Sequence, residues 1–461
     1  MNLRVLRTEL LRSAALWAGL TVLVAGFLFL FAIDGSWWRG TVRWTGQWTS
    51  LALWTRVLLA YLWPVAAGIG ALYGLRDHRS RMPELLATTP RPGWQRAATP
   101  ATAIALALVT GFGALLVCGG VLVALGPASY THLGWLPISA VALLALVAAG
   151  VFGMGVARAL PSPLTPPVLA VLFLAVNVLL MQQGDSELPT ARVGSHLFSQ
   201  LSPAVAEPRQ ALLTITGSVH LGQSLWFLGL LATGFALLGA RNNRGRLLSV
   251  VPVLAGAAMA LLVLPGDARG SYRVDPAAAA QVCEGRVCVT ELQRPRLEAL
   301  APTAARALDV LDTALGDVAP HRVREETALR AVGADRRLVA GSVLVNFEDP
   351  QIGGAEGDQL LRRLVGEGLA PSCRALSSRE FGGDEVLVVQ SVLASWALGT
   401  FRPIEADVYD RDAHRASLHT TWKEFSELSP ERQRNRAAEV REAALRCEFT
   451  WAEELAGGAR R

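Results

Sequence analysis

Residues 101–126 read ATAIALALVTGFGALLVCGGVLVALG, a run with no charged group. At about 1.5 Å of rise per residue, a helix of this length outspans a hydrocarbon layer about 30 Å thick. Lipid offers no water to backbone N–H and C=O groups, so a lone span must bond internally, and the run reads as a transmembrane helix. Working outward from it, apolar segments recur at 13–33, 51–74, 135–157, 164–182, 224–240 and 248–264, which makes seven expected spans. The last is short and contains Pro252, at an early position that a helix tolerates. Ala14 to Ile33 is too long for the apolar core of a signal peptide and precedes no small-residue cleavage site, so it reads as a retained first span.

The apolar runs stop after Asp267. From 267 to 461 the chain mixes Arg, Glu and Asp as a soluble domain does, and it is long enough to bury a core of its own. Periodicity predicts strands at Arg337–Phe347 and Glu385–Val389. It predicts helices at Arg294–Leu315, Gln359–Gly366, Gln390–Leu398 and Ser429–Leu445, an α+β mixture. The formal charge of +5 does not point to nucleic acid, because the basic residues of the first half sit in short clusters between apolar runs. Lys423 is the only lysine, a bias toward arginine that fits a GC-rich bacterial genome.

Arginine placement sets the expected orientation, since short arginine-rich loops stay in the cytoplasm. With the N-terminus inside, the inner loops hold twelve arginines: Arg4, Arg7, Arg12, Arg76, Arg79, Arg81, Arg91, Arg96, Arg158, Arg241, Arg244 and Arg246. The outer loops hold four, Arg39, Arg43, Arg192 and Arg209. An odd number of spans then places 267–461 outside the cell. Cysteine usage tests this independently. Cys118 falls within a span and reads as a packing residue, while Cys283, Cys288, Cys373 and Cys447 all lie in the outer domain. A hairpin turning at Gly285-Arg286 would set Cys283 opposite Cys288 in a narrow pair, with about 4.5 Å between Cα atoms, within disulfide reach. Cys373 and Cys447 are left for a second bridge. A four-cysteine zinc site is the competing reading, disfavoured by the loose CxxxxC spacing and the lack of a second close pair.

The loop after the second span, RDHRSRMPELLATTPRPGWQR (76–96), has a short helical core bounded by Pro83 on one side and by Pro90 and Pro92 on the other. Met1 to Arg12, MNLRVLRTELLR, has the apolar and basic alternation of an interfacial helix. In the order of these elements the chain resembles the permease family of type-2 ATP-binding-cassette exporters over residues 1–246. The resemblance implies a cytoplasmic elbow at 1–12, a six-span domain at 13–246 and a coupling helix in the 76–96 loop that rests on a separate ATPase chain. It implies Arg79, Arg81, Glu84, Leu85, Leu86 and Arg91 as the coupling residues, assembly with a second identical or related permease, and residence in the bacterial plasma membrane. It also implies small outer helices between the fifth and sixth spans, where the apolar stretch Ala211–Ile215 lies. The seventh helix at 247–266 and the outer domain at 267–461 depart from the family pattern.

Chemistry of its own is not expected. The chain has no GxxxxGK[ST] loop to cradle phosphates, so ATP would be bound by the partner and no cofactor is implied here. The outer domain has only His321, His414 and His419, and the last two are five apart, off one helical face, so a zinc peptidase is disfavoured. Gly150, Gly153 and Gly155, with Ala66, Gly70 and Gly74, read as close packing surfaces. Trp37, Trp38, Trp44 and Trp48 read as an interfacial aromatic belt. Arg56 is expected to snorkel to the headgroups, and Asn177 to bond to a neighbouring helix. The alternative to a permease is a membrane-anchored sensor or ligand-binding protein.

Overall fold

Runs rich in Leu, Ala, Val and Gly carry no competing polar side chains, and they form helices. The computed structural model describes the chain apart from residues 1–7, 11–14, 39–41, 77–92, 127–129, 183–189, 192–196, 206, 209, 241, 267–269, 330–334, 374–382, 407, 409, 449–454 and 456–461. The chain divides into two compact units, Met1–Arg273 and Val274–Arg461.

The first unit is a helical bundle. α1 (Ala15–Phe27) continues into a π-helical turn, Leu28–Ala32. α2 (Trp48–Val57) and α3 (Leu59–Gly74) are bent by 55° at Leu58. Then come α4 (Gly93–Leu125), α5 (Trp135–Ala159), α6 (Thr165–Gln182), α7 (Gly217–Gly239), α8 (Asn243–Leu248) and α9 (Val251–Val263). Among the described residues, five helical segments are long and apolar enough to cross a membrane, or six when the bent pair counts as one. The segment read as the fifth span, α6, is apolar but shorter than these. α7 starts seven residues before the expected sixth span because His220 and Gln223 interrupt the hydropathy without interrupting the helix. Of the expected elbow, Thr8–Leu10 is helical and the remainder lies outside the described residues.

α3 packs on α5 and α6, α7 on α5 and α9, and α1 on α4. Small residues let these backbones touch. A Cβ on Gly70 would sit 2.0 Å from the Gly150 carbonyl, and one on Gly155 would sit 2.3 Å from that of Gly234. No side chain fits at such separations, so the glycines read from sequence as packing surfaces are contact points of the bundle.

Two expectations fail here. Ala211–Ile215 contains no helix: Leu213–Ile215 is extended, and Thr216 donates its amide to Ser271 O at 3.1 Å and its hydroxyl to Gly270 O at 2.8 Å. The aromatic group faces inward. Trp44 is fully buried and Trp37 nearly so, Trp48 is half-buried, and Trp38 alone of the four is exposed. The indoles of Trp37 and Trp38 both donate to Leu30 O, at 3.3 and 2.8 Å, so their N–H groups are satisfied at the wide turn that ends α1.

The second unit holds a four-stranded sheet in the order β1 (Gln281–Glu284), β2 (Val287–Thr290), β3 (Arg322–Glu325), β4 (Ser342–Val345). β1 and β2 form the expected hairpin, turning at Gly285 with φ +59°. β3 runs parallel to β2, and β4 parallel to β3. α10 (Arg294–Leu315) makes the crossover from β2 to β3 and buries Leu297, Leu300, Leu308 and Leu311. α11 (Gly357–Leu369), α12 (Gly383–Ala397), α13 (Arg411–Ser426) and α14 (Pro430–Leu445) complete the unit. The expected strand at Glu385–Val389 is instead part of α12. A short apolar run reads alike as strand or buried helix, and here Val388, Val389, Val392 and Leu393 are buried together along one helix.

Both expected disulfides are present. Cys283 and Cys288 are opposed across the hairpin with Cα atoms 4.1 Å apart, and Cys373 pairs with Cys447 at 5.6 Å. Cys447 ends α14 in a Schellman motif: Glu448 N donates to Ala443 O and Cys447 N to Ala444 O, both at 2.9 Å. Its φ of +60° is the left-handed conformation that glycine normally supplies there.

Loop-closure entropy separates the two bridges, since one closes a separation of five residues and the other of 74. In a fragment covering 274–461, Cys373→Ala with Cys447→Ala is expected to cost about 4 to 5 kcal/mol, and Cys283→Ala with Cys288→Ala about 2 kcal/mol. Urea unfolding of the two variants checks the order.

Candidate functional site

Polar side chains converge on the break between α2 and α3. Pro64, inside α3, has no N–H to offer the carbonyl of Ala60 one turn earlier. Asn177 of α6 fills that vacancy, its Nδ2 donating to Ala60 O at 3.2 Å. Its Oδ1 in turn accepts from the Ser202 hydroxyl at 2.5 Å. The neighbour bond expected for Asn177 is therefore present, and Pro64 explains why this carbonyl needs it.

Arg56 occupies the last turn of α2 and is 0% exposed. Its Nε donates to Pro203 O at 2.8 Å, Nη2 to Gln223 Oε1 at 2.8 Å, and Nη1 to Ile138 O at 3.4 Å. The snorkelling expectation is thus overturned. The side chain points inward because three oxygens, from the 199–204 loop, α7 and α5, lie within its reach. Gln223 completes the cluster, its Nε2 donating to Gln200 O at 2.8 Å and Ser202 O at 3.0 Å. All three acceptors of Arg56 are neutral, and among the described residues the guanidinium makes no ion pair. A full positive charge is therefore held inside the bundle by dipoles alone, an arrangement that costs free energy and marks functional positions.

Sequence reading singled out Arg56 and Asn177 but not Gln223, Ser202 or Gln200. Gln223 was legible as a polar residue at the head of an apolar helix. The two loop residues join the site only through the fold.

The coupling residues Arg79, Arg81, Glu84, Leu85, Leu86 and Arg91 lie outside the described residues. The helix end leading into them is described. Tyr73 Oη donates to Glu9 Oε1 at 2.5 Å, and Arg76 Nη1 pairs with the same oxygen at 2.7 Å, tying the segment before α1 to the end of α3.

The second unit has its own buried charges. Arg336 pairs with Glu367 and, at 3.2 Å, with Glu326, and donates to Leu344 O at 3.0 Å. Burial works against its charge, but the two carboxylates outweigh it and hold its pKa above the usual value. Glu367 also accepts from Gln390 Nε2 at 2.9 Å and from the Ser372 hydroxyl at 3.0 Å. The group reads as an internal clamp: Arg336 faces both carboxylates, and the Ser372 hydroxyl is spent on the Glu367 oxygens at 3.0 Å. Among the described residues no three His, Cys, Asp or Glu side chains are grouped to hold a metal ion. Glu325 is different: burial pushes its pKa up to about 7, against the Thr290 amide that donates to it at 2.6 Å.

A carboxyl whose folded pKa is raised adds stability below its unfolded pKa, and that stability is lost as pH rises through the folded value. Between about pH 4.5 and 7 the second unit is expected to lose about 3 kcal/mol through Glu325. Glu325→Gln, which still accepts the Thr290 amide, is expected to remove that slope. Urea midpoints of the 274–461 fragment measured across this pH range decide it.

No protein-family model, curated protein or solved structure matches this chain.

Proposed function

We propose that the chain is the membrane-spanning subunit of an ATP-driven exporter in the bacterial plasma membrane. It would couple through residues 76–96 to a cytoplasmic ATPase chain and work as a dimer with an identical or related permease. The observation that carries this reading is the Pro-bounded Glu84-Leu85-Leu86 unit, set between α3 and α4 of a bundle that has no phosphate-binding loop of its own. The Glu9, Tyr73 and Arg76 contacts support it, because they brace the chain where it leaves α3 for that loop. The disulfides support an oxidising compartment for the C-terminal unit, and together with the arginine-rich loops they support an inner N-terminus and an odd number of crossings.

In this mechanism the permease breaks no bond. Closure of the nucleotide-bound ATPases would tilt the 76–96 loops, and α3 would carry that tilt to its break at Leu58. Accessibility would change where Arg56, Gln223 and the 199–204 loop meet.

Affinity purification in mild detergent is expected to recover an ATPase carrying a phosphate loop with the wild type, and not with Glu84→Arg plus Leu85→Asp. Retention of the ATPase by that variant removes the coupling assignment. Purification of the wild type with no ATPase favours the anchored sensor. A periplasmic-type reporter fused after Arg461 is expected to be active, and a cytosolic one silent; the reverse pattern overturns the orientation.

A further inference from the structure

The cluster at the helix break is incomplete in charge. Arg56 is 0% exposed and donates to three oxygens that carry no net charge, and its two nearest are 2.8 Å away. A carboxylate or phosphate adds Coulombic attraction that the neutral acceptors of Arg56 lack, and such anions match its planar fork with two parallel bonds. An anion reaching Arg56 therefore competes well against Pro203 O and Gln223 Oε1.

Those two acceptors are also what Arg56 uses to bind its surroundings together. Pro203 belongs to the loop that Ser202 ties to α6 through Asn177, and Gln223 ties the same loop to α7. Arg56 itself ends the half-helix α2, which is bent by 55° from α3. Arg56 is thus the polar tie of the loop and α7 to a half-helix that a 55° bend separates from α3, beside the apolar packing of Ala52 and Leu53 on Val205 and Val219.

We infer that Arg56 is a latch opened by an anionic substrate: the anion takes the guanidinium from Pro203 and Gln223, and the 199–204 loop separates from α2. This names the substrate class of the proposed permease and rests on that reading. The chemistry required is a carboxylate or phosphate group, supplied either by an amphiphile entering from the bilayer or by a free anion. The release is driven by differential affinity, since the anion binds the open arrangement and not the closed one.

The test uses the full chain in phosphatidylcholine nanodiscs, with Cys118→Ala and Ala204→Cys. Ala204 is half-buried next to Pro203, and the four remaining cysteines are oxidised. The rate of labelling by a polar maleimide is measured with dodecyl phosphate, inorganic phosphate, dodecanol and dodecylammonium. Dodecyl phosphate is expected to raise the rate about tenfold, the factor that a modest difference in affinity produces. Dodecanol and dodecylammonium are expected to leave it unchanged, and so is dodecyl phosphate with Arg56→Gln. Arg56→Lys, which keeps the charge without the fork, is expected to restore part of the response.

Acceleration by inorganic phosphate as well assigns the latch to free anions. Acceleration by dodecyl phosphate alone assigns it to anionic amphiphiles. Equal acceleration by dodecylammonium overturns the inference, as does a full response in Arg56→Gln or no response to either anion. If Arg56→Gln does not fold, the comparison among the four probes on the parent protein still decides. The permease reading is tested separately by ATPase copurification, so failure of one is distinguishable from failure of the other.

Discussion

The carbonyl of Ala60 has no helical donor because Pro64 cannot provide one, and the Asn177 amide that reaches it from α6 is the pivot of the polar architecture in the helical unit. In an apolar bundle a freed backbone group finds few partners, and leaving it unpaired costs several kcal/mol. Several irregularities in these helices are accordingly met by a side chain from elsewhere. Trp37 and Trp38 serve Leu30 O at the π turn, and Thr233 accepts from Val253 N just after Pro252. Once Asn177 is committed to Ala60, its oxygen fixes Ser202, Ser202 fixes the loop, and the loop presents Pro203 O and the Gln223 contacts to Arg56.

Close backbone contact makes that chain of bonds possible. Where Gly70 meets Gly150 and Gly155 meets Gly234, the axes of α3, α5 and α7 approach without side chains between them. Polar groups on these helices then come within hydrogen-bond reach near the break between α2 and α3, and wider packing with larger residues would leave them stranded. The second unit solves the same problem differently, by surrounding Arg336 with two carboxylates, a serine and backbone oxygens, so that its buried charge is neutralised locally.

The apolar runs and the glycine surfaces were legible because hydropathy and small-residue spacing act locally along the chain. So were the cysteine pairs, whose number and hairpin spacing left few arrangements. α10 was read with its observed bounds, Pro295 at its start and a clear apolar stripe having marked it. α12 was misread at Glu385–Val389 because a run buried on all sides carries no period. β3 went unseen, since its pairing depends on strands distant in sequence, and so did α13, whose polar sequence buries only Leu418, Thr421 and Phe425. At the site, composition could point to Arg56 and Asn177 as polar intruders, but not to the direction each takes. That direction is set by the bend at Leu58 and by a loop joined to the site only through tertiary contacts.

Arg56 is therefore hard to explain as a device for stability. A leucine or methionine of similar length at the end of α2 would pack against α5 and α7 without a desolvated charge, and replacements of that kind in protein interiors are often neutral or stabilising. Two buried arginines of the second unit differ in this respect: Arg336 has opposite charge on two sides, and Arg441 donates to the backbone oxygens of Gly368 and Ala340. Arg56 has hydrogen bonds but no counter-charge among the described residues, so its bonds hold the loop while its charge stays uncompensated. A group kept at a cost in one state is most economically understood through another state in which the cost is relieved, and at a hinge within a helical bundle the relieving partner is an anion that arrives and leaves.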